Sequence, residues 1–237
     1  MKRLNPLFVL GLGPAAGLCL ASASVLASLF ASAVVSAVAP GVASADPALV
    51  TQTRTVSAFH AVDLAGTLEV EVTVGKPASV EVTGDADLVD KVRTTVKDGV
   101  LVISTPDLHH TGHRDSHLRA IVSAPDLSSL ALSGTGTMKA TGVANERLAI
   151  TLPGTGEIKV TGSTGTLQVT LDGTGDVSAK ALAARDAVVA LGGTGDARLR
   201  ATRSLDARIS GTGSIHVEGS PTQIKKSVSG LGSIHVR

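Results

Sequence analysis

Four histidines crowd one short stretch of this chain. His109, His110, His113 and His117 lie within Asp107-Leu108-His109-His110-Thr111-Gly112-His113-Arg114-Asp115-Ser116-His117. Imidazoles at this density can ligate Zn²⁺, Cu²⁺ or Ni²⁺, with Asp107 and Asp115 as oxygen ligands or as partners of the ring N–H groups. His113 and His117 are also spaced for one face of a helix. Gly112 and the polar surroundings point instead to a solvated hairpin loop, which must lose conformational entropy before it holds an ion. The expectation is the plain loop with no cofactor, and a metal-binding envelope protein is the alternative.

A second set of candidates is acidic. Asp172 and Asp176 flank Gly173-Thr174-Gly175, and Asp196 follows Gly193-Thr194-Gly195. Calcium-binding solenoid repeats place Asp differently, in a nine-residue G-G-x-G-x-D unit. Polysaccharide cleavage is the other chemistry open to clustered carboxylates, but it requires an acid of raised pKa in a cleft. No long insertion builds a cleft wall here, and the chain has no Trp or Tyr on which a sugar would stack. These carboxylates are therefore read as structural, and the chain as not an enzyme.

What positions all these residues is a repeat. Gly-Thr-Gly begins at Gly134, Gly154, Gly173, Gly193 and Gly211, and Gly-Leu-Gly begins at Gly230, in steps of 20, 19, 20, 18 and 19 residues. With the first Gly as position zero, two before it stand Leu132, Leu152, Leu171, Leu191, Ile209 and Val228. Four before it stand Leu130, Ile150, Val169, Val189, Ala207 and, as an exception, Lys226. Four after it stand Met138, Ile158, Val177, Ala197, Ile215 and Ile234. Alternation with period two predicts strands with one buried face, one strand on each side of every Gly-Thr-Gly. A second turn, such as Gly142 to Arg147, joins one repeat to the next. One repeat cannot bury its apolar face alone, so the repeats stack with strands about 4.8 Å apart. The predicted fold is all-β: a single-stranded β-helix, or β-solenoid, with coils of about 19 residues and Gly-Thr-Gly corners.

The corner glycines are Gly134 and Gly136, Gly154 and Gly156, Gly173 and Gly175, Gly193 and Gly195, and Gly211 and Gly213. Their parity is inward, so a side chain there would crowd a narrow corner. Thr135, Thr155, Thr174, Thr194 and Thr212 point outward in a column suited to ladder packing.

In this register a third candidate set emerges. Position five after the first Gly holds Lys139, Lys159, Ser178, Arg198, His216 and His235, and position seven holds Lys180 and Arg200. These outward positions form a mostly basic stripe that can attract an anionic polysaccharide or a lipid headgroup. The same stripe also serves as a solvated face that resists aggregation. Glu157, Asp176 and Asp196 at position three neutralise part of it. Nucleic acid is not expected. With Lys2 and Arg3 set aside the chain carries 19 basic against 20 acidic residues, and Phe59 is the one aromatic side chain after residue 45.

Residues 1–45 read as an export signal: Lys2 and Arg3, a long run of Ala, Leu, Val and Ser, then Ala43-Ser44-Ala45 before Asp46. Cys19 lies inside the run, so the processed chain lacks cysteine, and it carries no second hydrophobic span. Cleavage is favoured over retention as an anchor by Gly11, Gly13, Pro14 and Gly17, which interrupt the run. Residues 46–127 read as an N-terminal cap with the first irregular coils, including a short helix over Asp87 to Val96, and 128–237 as the regular coils. The last coil ends without a cap, which leaves an edge for self-association.

Two stretches carry a family resemblance. One runs from Phe59 to Ser104, with Val80-Glu81-Val82-Thr83-Gly84-Asp85, Leu88 to Val92, and Asp98-Gly99-Val100-Leu101-Val102-Ile103-Ser104. The other runs from Pro125-Asp126-Leu127 through Leu132-Ser133-Gly134-Thr135-Gly136 to the C-terminus. Together they resemble the auto-transporter adhesin head GIN domain family, bacterial proteins that are secreted or displayed at the surface. The resemblance implies a β-helical fold, suggests adhesion and supplies no catalytic residues. The expected protein is an exported, non-enzymatic interaction module of the periplasm, cell surface or medium. Its expected partner is an anionic polysaccharide or a surface protein. A self-assembling envelope scaffold is the alternative.

Overall fold

The fold is described from a computed structural model, which describes residues 49–105 and 118–237. The segment read as an export signal and the histidine cluster 109–117 lie outside the described residues. The elements are, in chain order, β1 (Leu49–Arg54), β2 (Ala61–Leu64), β3 (Thr67–Val74), β4 (Ser79–Asp85), α1 (Ala86–Val89), β5 (Arg93–Lys97), β6 (Val100–Ser104), β7 (Arg119–Ala124), β8 (Ser129–Leu132), β9 (Thr135–Leu152), β10 (Thr155–Leu171), β11 (Thr174–Leu191), β12 (Thr194–Ile209), β13 (Thr212–Glu218), β14 (Gln223–Val228) and β15 (Leu231–Val236). They form a β-solenoid of stacked parallel coils.

Register within the stack follows the repeat. Thr155 pairs with Thr135 and Thr174, and Leu171 pairs with Leu152 and Leu191. Inward columns such as Leu132, Leu152, Leu171, Leu191 and Ile209 are at most 1% exposed. Burying each such side chain contributes about 1.5–3 kcal/mol before chain entropy is counted.

Three details depart from the sequence reading. First, the coil has three sides, where two strands and a turn were expected. Strands β9 to β12 run on through the second corner, and Ser163 and Thr164 pair with Ala144 and Asn145 on one side and Ala183 and Ala184 on the other. Register shifts near Val160 and Gly162 break the period-two alternation there, which hid the third side from the pattern.

Second, the levels are not stacked in chain order. Strand β3 pairs with β7 on one side and β9 on the other, and β2 pairs with β6 and β8. The coil that comes second in the sequence therefore lies outside the coil that comes first. Beyond it the sheet turns antiparallel: β4 on β7, β1 on β4, and β5 on β6. These strands remove the open parallel edge at this end.

Third, the helix expected over Asp87 to Val96 is only α1, and Arg93–Lys97 is a strand. Thr94, Thr95 and Val96 are β-branched and pair with β6 across a tight Asp98-Gly99 turn. Both turn residues have positive φ, 52° and 77°, as a two-residue hairpin of this type requires. The end of α1 is held by Arg54, whose guanidinium donates to the carbonyls of Val89 (2.9 Å) and Val92 (3.1 Å).

Among the described residues no helix is long and apolar enough to cross a membrane.

Candidate interaction surface

The corners fix which side chains face solvent. Gly136, Gly156, Gly175, Gly195 and Gly213 have φ between 142° and 149°. A Cβ on Gly156, Gly175, Gly195 or Gly213 would run into the carbonyl oxygen of the matching glycine one level below. The clash is along the stack and not into the lumen, which corrects the inward-crowding explanation. The Thr between the glycines is exposed at every level. Register adds Thr67 to the column, since Thr67 pairs with Thr135. No Gly-Thr-Gly marks that position, so the repeat alone missed it.

The carboxylates beside the corners are bracing groups. Asp176 Oδ1 accepts the backbone N–H of Asp196 at 3.0 Å, and Asp196 Oδ1 accepts that of Ser214 at 3.0 Å. Asp196 Oδ2 accepts in turn from Arg198 at 3.0 Å. Each side chain ties one level to the next, a role that accounts for an acid just after the second Gly.

The position-five residues form one ladder. Lys139 pairs with Lys159, Lys159 with Ser178, Ser178 with Arg198, Arg198 with His216, and His216 with His235. The rings of His216 and His235 stack 5.2 Å apart, and His235 Nε2 lies 2.9 Å from the Ser233 hydroxyl. Most of the column is charge-compensated. Lys159 lies 2.8 Å from Glu157, Arg198 3.0 Å from Asp196, and Lys139 3.7 Å from Glu71. Glu71 also pairs with Arg119 at 2.6 Å. Sequence reasoning missed Glu71 and Arg119, because nothing in the repeat says that β3 lies beside β9.

The position-seven residues are not brought together. A register shift in β11 takes Lys180 out of line, so Arg200 sits opposite Ala183 on one side and Glu218 on the other. Among the described residues, neither Lys180 nor Arg200 lies in an ion pair.

The last coil is unusual inside and out. Lys226 occupies a column that is apolar at every earlier level, and its Nζ reaches the carbonyl of Ile234 at 3.5 Å. An inward charge of this kind disfavours stacking of a further coil, which weighs against assembly through this end.

A match to the family described as "putative auto-transporter adhesin, head GIN domain" covers residues 58–221. The chain belongs to this family. Among solved structures, it is similar to a "putative adhesin" from Bacteroides fragilis, with 22% identity and a TM-score of 0.65 over 81% of this chain and 98% of that one. It is also similar to a "putative lipid binding protein" from Parabacteroides distasonis, with 22% identity and a TM-score of 0.47 over 80% and 96% of the two chains. A "putative adhesin" from the same organism matches with 18% identity and a TM-score of 0.42 over 81% and 98%. No curated protein matches. At 22% identity the Bacteroides fragilis protein shows a shared fold, and the match over residues 58–221 shows the family.

Proposed function

We propose that this family member is an exported, non-enzymatic, adhesin-like module whose position-five column binds an anionic polysaccharide. The observation that supports this reading is the straight ladder Lys139, Lys159, Arg198, His216 and His235, interrupted only by Ser178. A linear polyanion can follow a straight column of cations, and many weak contacts then sum.

The carboxylates already paired with that column set the strength. The lysine and arginine side chains of these pairs are 44–51% exposed. Such pairs are worth about 0–1 kcal/mol each, so an incoming polymer displaces them at little cost. Binding is therefore weak per site, multivalent and sensitive to salt. Arg200, in no ion pair among the described residues, contributes without displacement.

The experiment is retention of residues 46–237 on immobilised polygalacturonate, eluted with a salt gradient. Retention at low salt is expected, with earlier elution of Arg198→Ala and Arg200→Ala. Passage without retention, or elution unchanged by both substitutions, overturns the reading.

A further inference from the structure

We propose that the C-terminal end of the solenoid, formed by β14 and β15, docks onto the surface of an anionic lipid bilayer. This surface meets the position-five column along the side of the stack at His235 alone. The large apolar side chains left exposed at this end are Ile224 (50%), Val228 (47%) and Leu231 (78%). All of β14 is exposed. Ile224 and Val228 have the parity of core residues, and Leu231 stands where the earlier levels carry Thr.

The charge carried by these last strands has one sign, and the nearest acids, Asp206 beside Lys225 and Glu218 before Gly219, belong to the level below. From Gly219 to Arg237 the chain contains Lys225, Lys226 and Arg237, with His235, and no Asp or Glu. The opposite end is mixed: Glu81, Asp85, Asp87, Asp90 and Asp98 lie on or beside its capping strands together with Arg54, Lys76, Lys91, Arg93 and Lys97. An excess of cations beside exposed apolar side chains is therefore a feature of the C-terminal end.

That combination selects the occupant. Apolar side chains ringed by Lys and Arg are what an interfacial contact uses: Leu231, Ile224 and Val228 enter the headgroup–acyl boundary while the cations meet phosphates. The flexible stems of Lys225 and Lys226 keep their ammonium groups at headgroup level. A second copy fits less well. End to end through this face, it would set Lys225 and Lys226 against their own counterparts. Through the far end, it would meet antiparallel capping strands that cannot continue a parallel coil.

Residues 46–237 suit the test because they hold every residue of the described core, from Phe59 to Val217. Flotation with phosphatidylglycerol–phosphatidylcholine vesicles is compared with flotation on phosphatidylcholine alone. Binding to the anionic vesicles only is expected, lost in high salt. Lys225→Glu with Lys226→Glu should weaken partitioning at least about tenfold, since each basic residue near such a surface is worth about fivefold. Ile224→Ser with Leu231→Ser should also abolish flotation with an unchanged melting temperature, and Lys159→Ala should leave it intact. Equal binding to neutral vesicles, no binding at low salt, or flotation that survives both double substitutions overturns the proposal. So does a vesicle-free dimer, seen by light scattering, that Leu231→Ser dissolves: the end would then be a contact between copies. The polysaccharide column and this end fail independently, because Arg198→Ala and Arg200→Ala report on the first alone.

Discussion

Gly156 lies directly above Gly136, so close that a Cβ on Gly156 would fall on the Gly136 carbonyl oxygen. The same relation recurs up the corner, where the hydrogen-bonded spacing of the coils leaves no room for a side chain. A methyl group there meets backbone, which has no rotamer with which to yield, and Gly156 also has φ 142°.

Gly156→Ala should therefore destabilise the chain by at least about 3 kcal/mol, combining strain and clash. Gly192→Ala is the matched control. Its Cβ meets mainly the Asp172 carboxylate, a flexible side chain, and its φ is not in the left-handed region. It should cost less than about 1 kcal/mol. Denaturant melts of the two variants decide the matter, and similar losses in both would contradict the assignment.

Asn145 and Thr164 make a second prediction, on the third side of the coil. Asn145 Nδ2 donates to the Leu127 carbonyl, and its Oδ1 accepts from the Thr164 hydroxyl at 2.7 Å. Thr164 is only 5% exposed. Removing Asn145 takes a partner from the Leu127 carbonyl and leaves the buried Thr164 hydroxyl only its longer contact to the Thr166 carbonyl at 3.4 Å, so Asn145→Ala should cost about 1–3 kcal/mol. Adding Thr164→Val should then cost little more, because the weakly paired hydroxyl goes with it. Strict additivity of the two losses would show that the bond carries no coupling.

How much of this was legible in the sequence differs between columns and levels. The inward columns were visible, because Leu132, Leu152, Leu171 and Leu191 recur at one offset and parity assigns them inside. The exception at Lys226 was visible as well, but its meaning needed the open end of the lumen. The order of levels was not legible. A period reports that units stack and says nothing of which unit neighbours which, so the contact of β3 with both β7 and β9 could not be read. The Glu71–Lys139 and Glu71–Arg119 pairs were lost for that reason. The position-seven column failed for another: register shifts near Lys159 and Ala179 change the phase of the ladder, and counting offsets assumes a constant phase.

Asp186 supplies a pH prediction. Its carboxyl is lowered from 3.8 to about 2, first by the hydrogen bond from Arg203 and next by that from Ser204. Arg203 Nε donates at 2.7 Å and the Ser204 hydroxyl at 2.6 Å, so the carboxylate bridges two levels. The unfolded group holds its proton more tightly than the folded one. It therefore favours the folded chain above pH 3.8, and that contribution fades as pH falls from 3.8 through about 2. Carbon-detected NMR titration should place the Asp186 midpoint near 2, and Arg203→Gln should move it up towards 3.8. A midpoint unmoved by that substitution would assign the shift to another cause.

The ion pairs of the position-five column lead to the prediction that separates a binding surface from a solvated face. Glu157 holds Lys159 at 2.8 Å, and Asp196 holds Arg198 at 3.0 Å while bracing Ser214. If the column only keeps the protein soluble, neutralising Glu157 changes little. If it binds a polyanion, Glu157 is a competitor for Lys159, and Glu157→Gln frees the ammonium without loss of a backbone brace. Elution from polygalacturonate should then move to higher salt, opposite in sign to the shift from Arg200→Ala. Asp196→Asn makes the contrast. It frees Arg198 in the same way but weakens the acceptor for the Ser214 N–H, so tighter retention should come with a lower melting temperature. Because a stronger surface and a weaker stack appear in different measurements, the two roles of the acid column are separable. Later elution of Glu157→Gln at an unchanged melting temperature is the result that the binding reading requires.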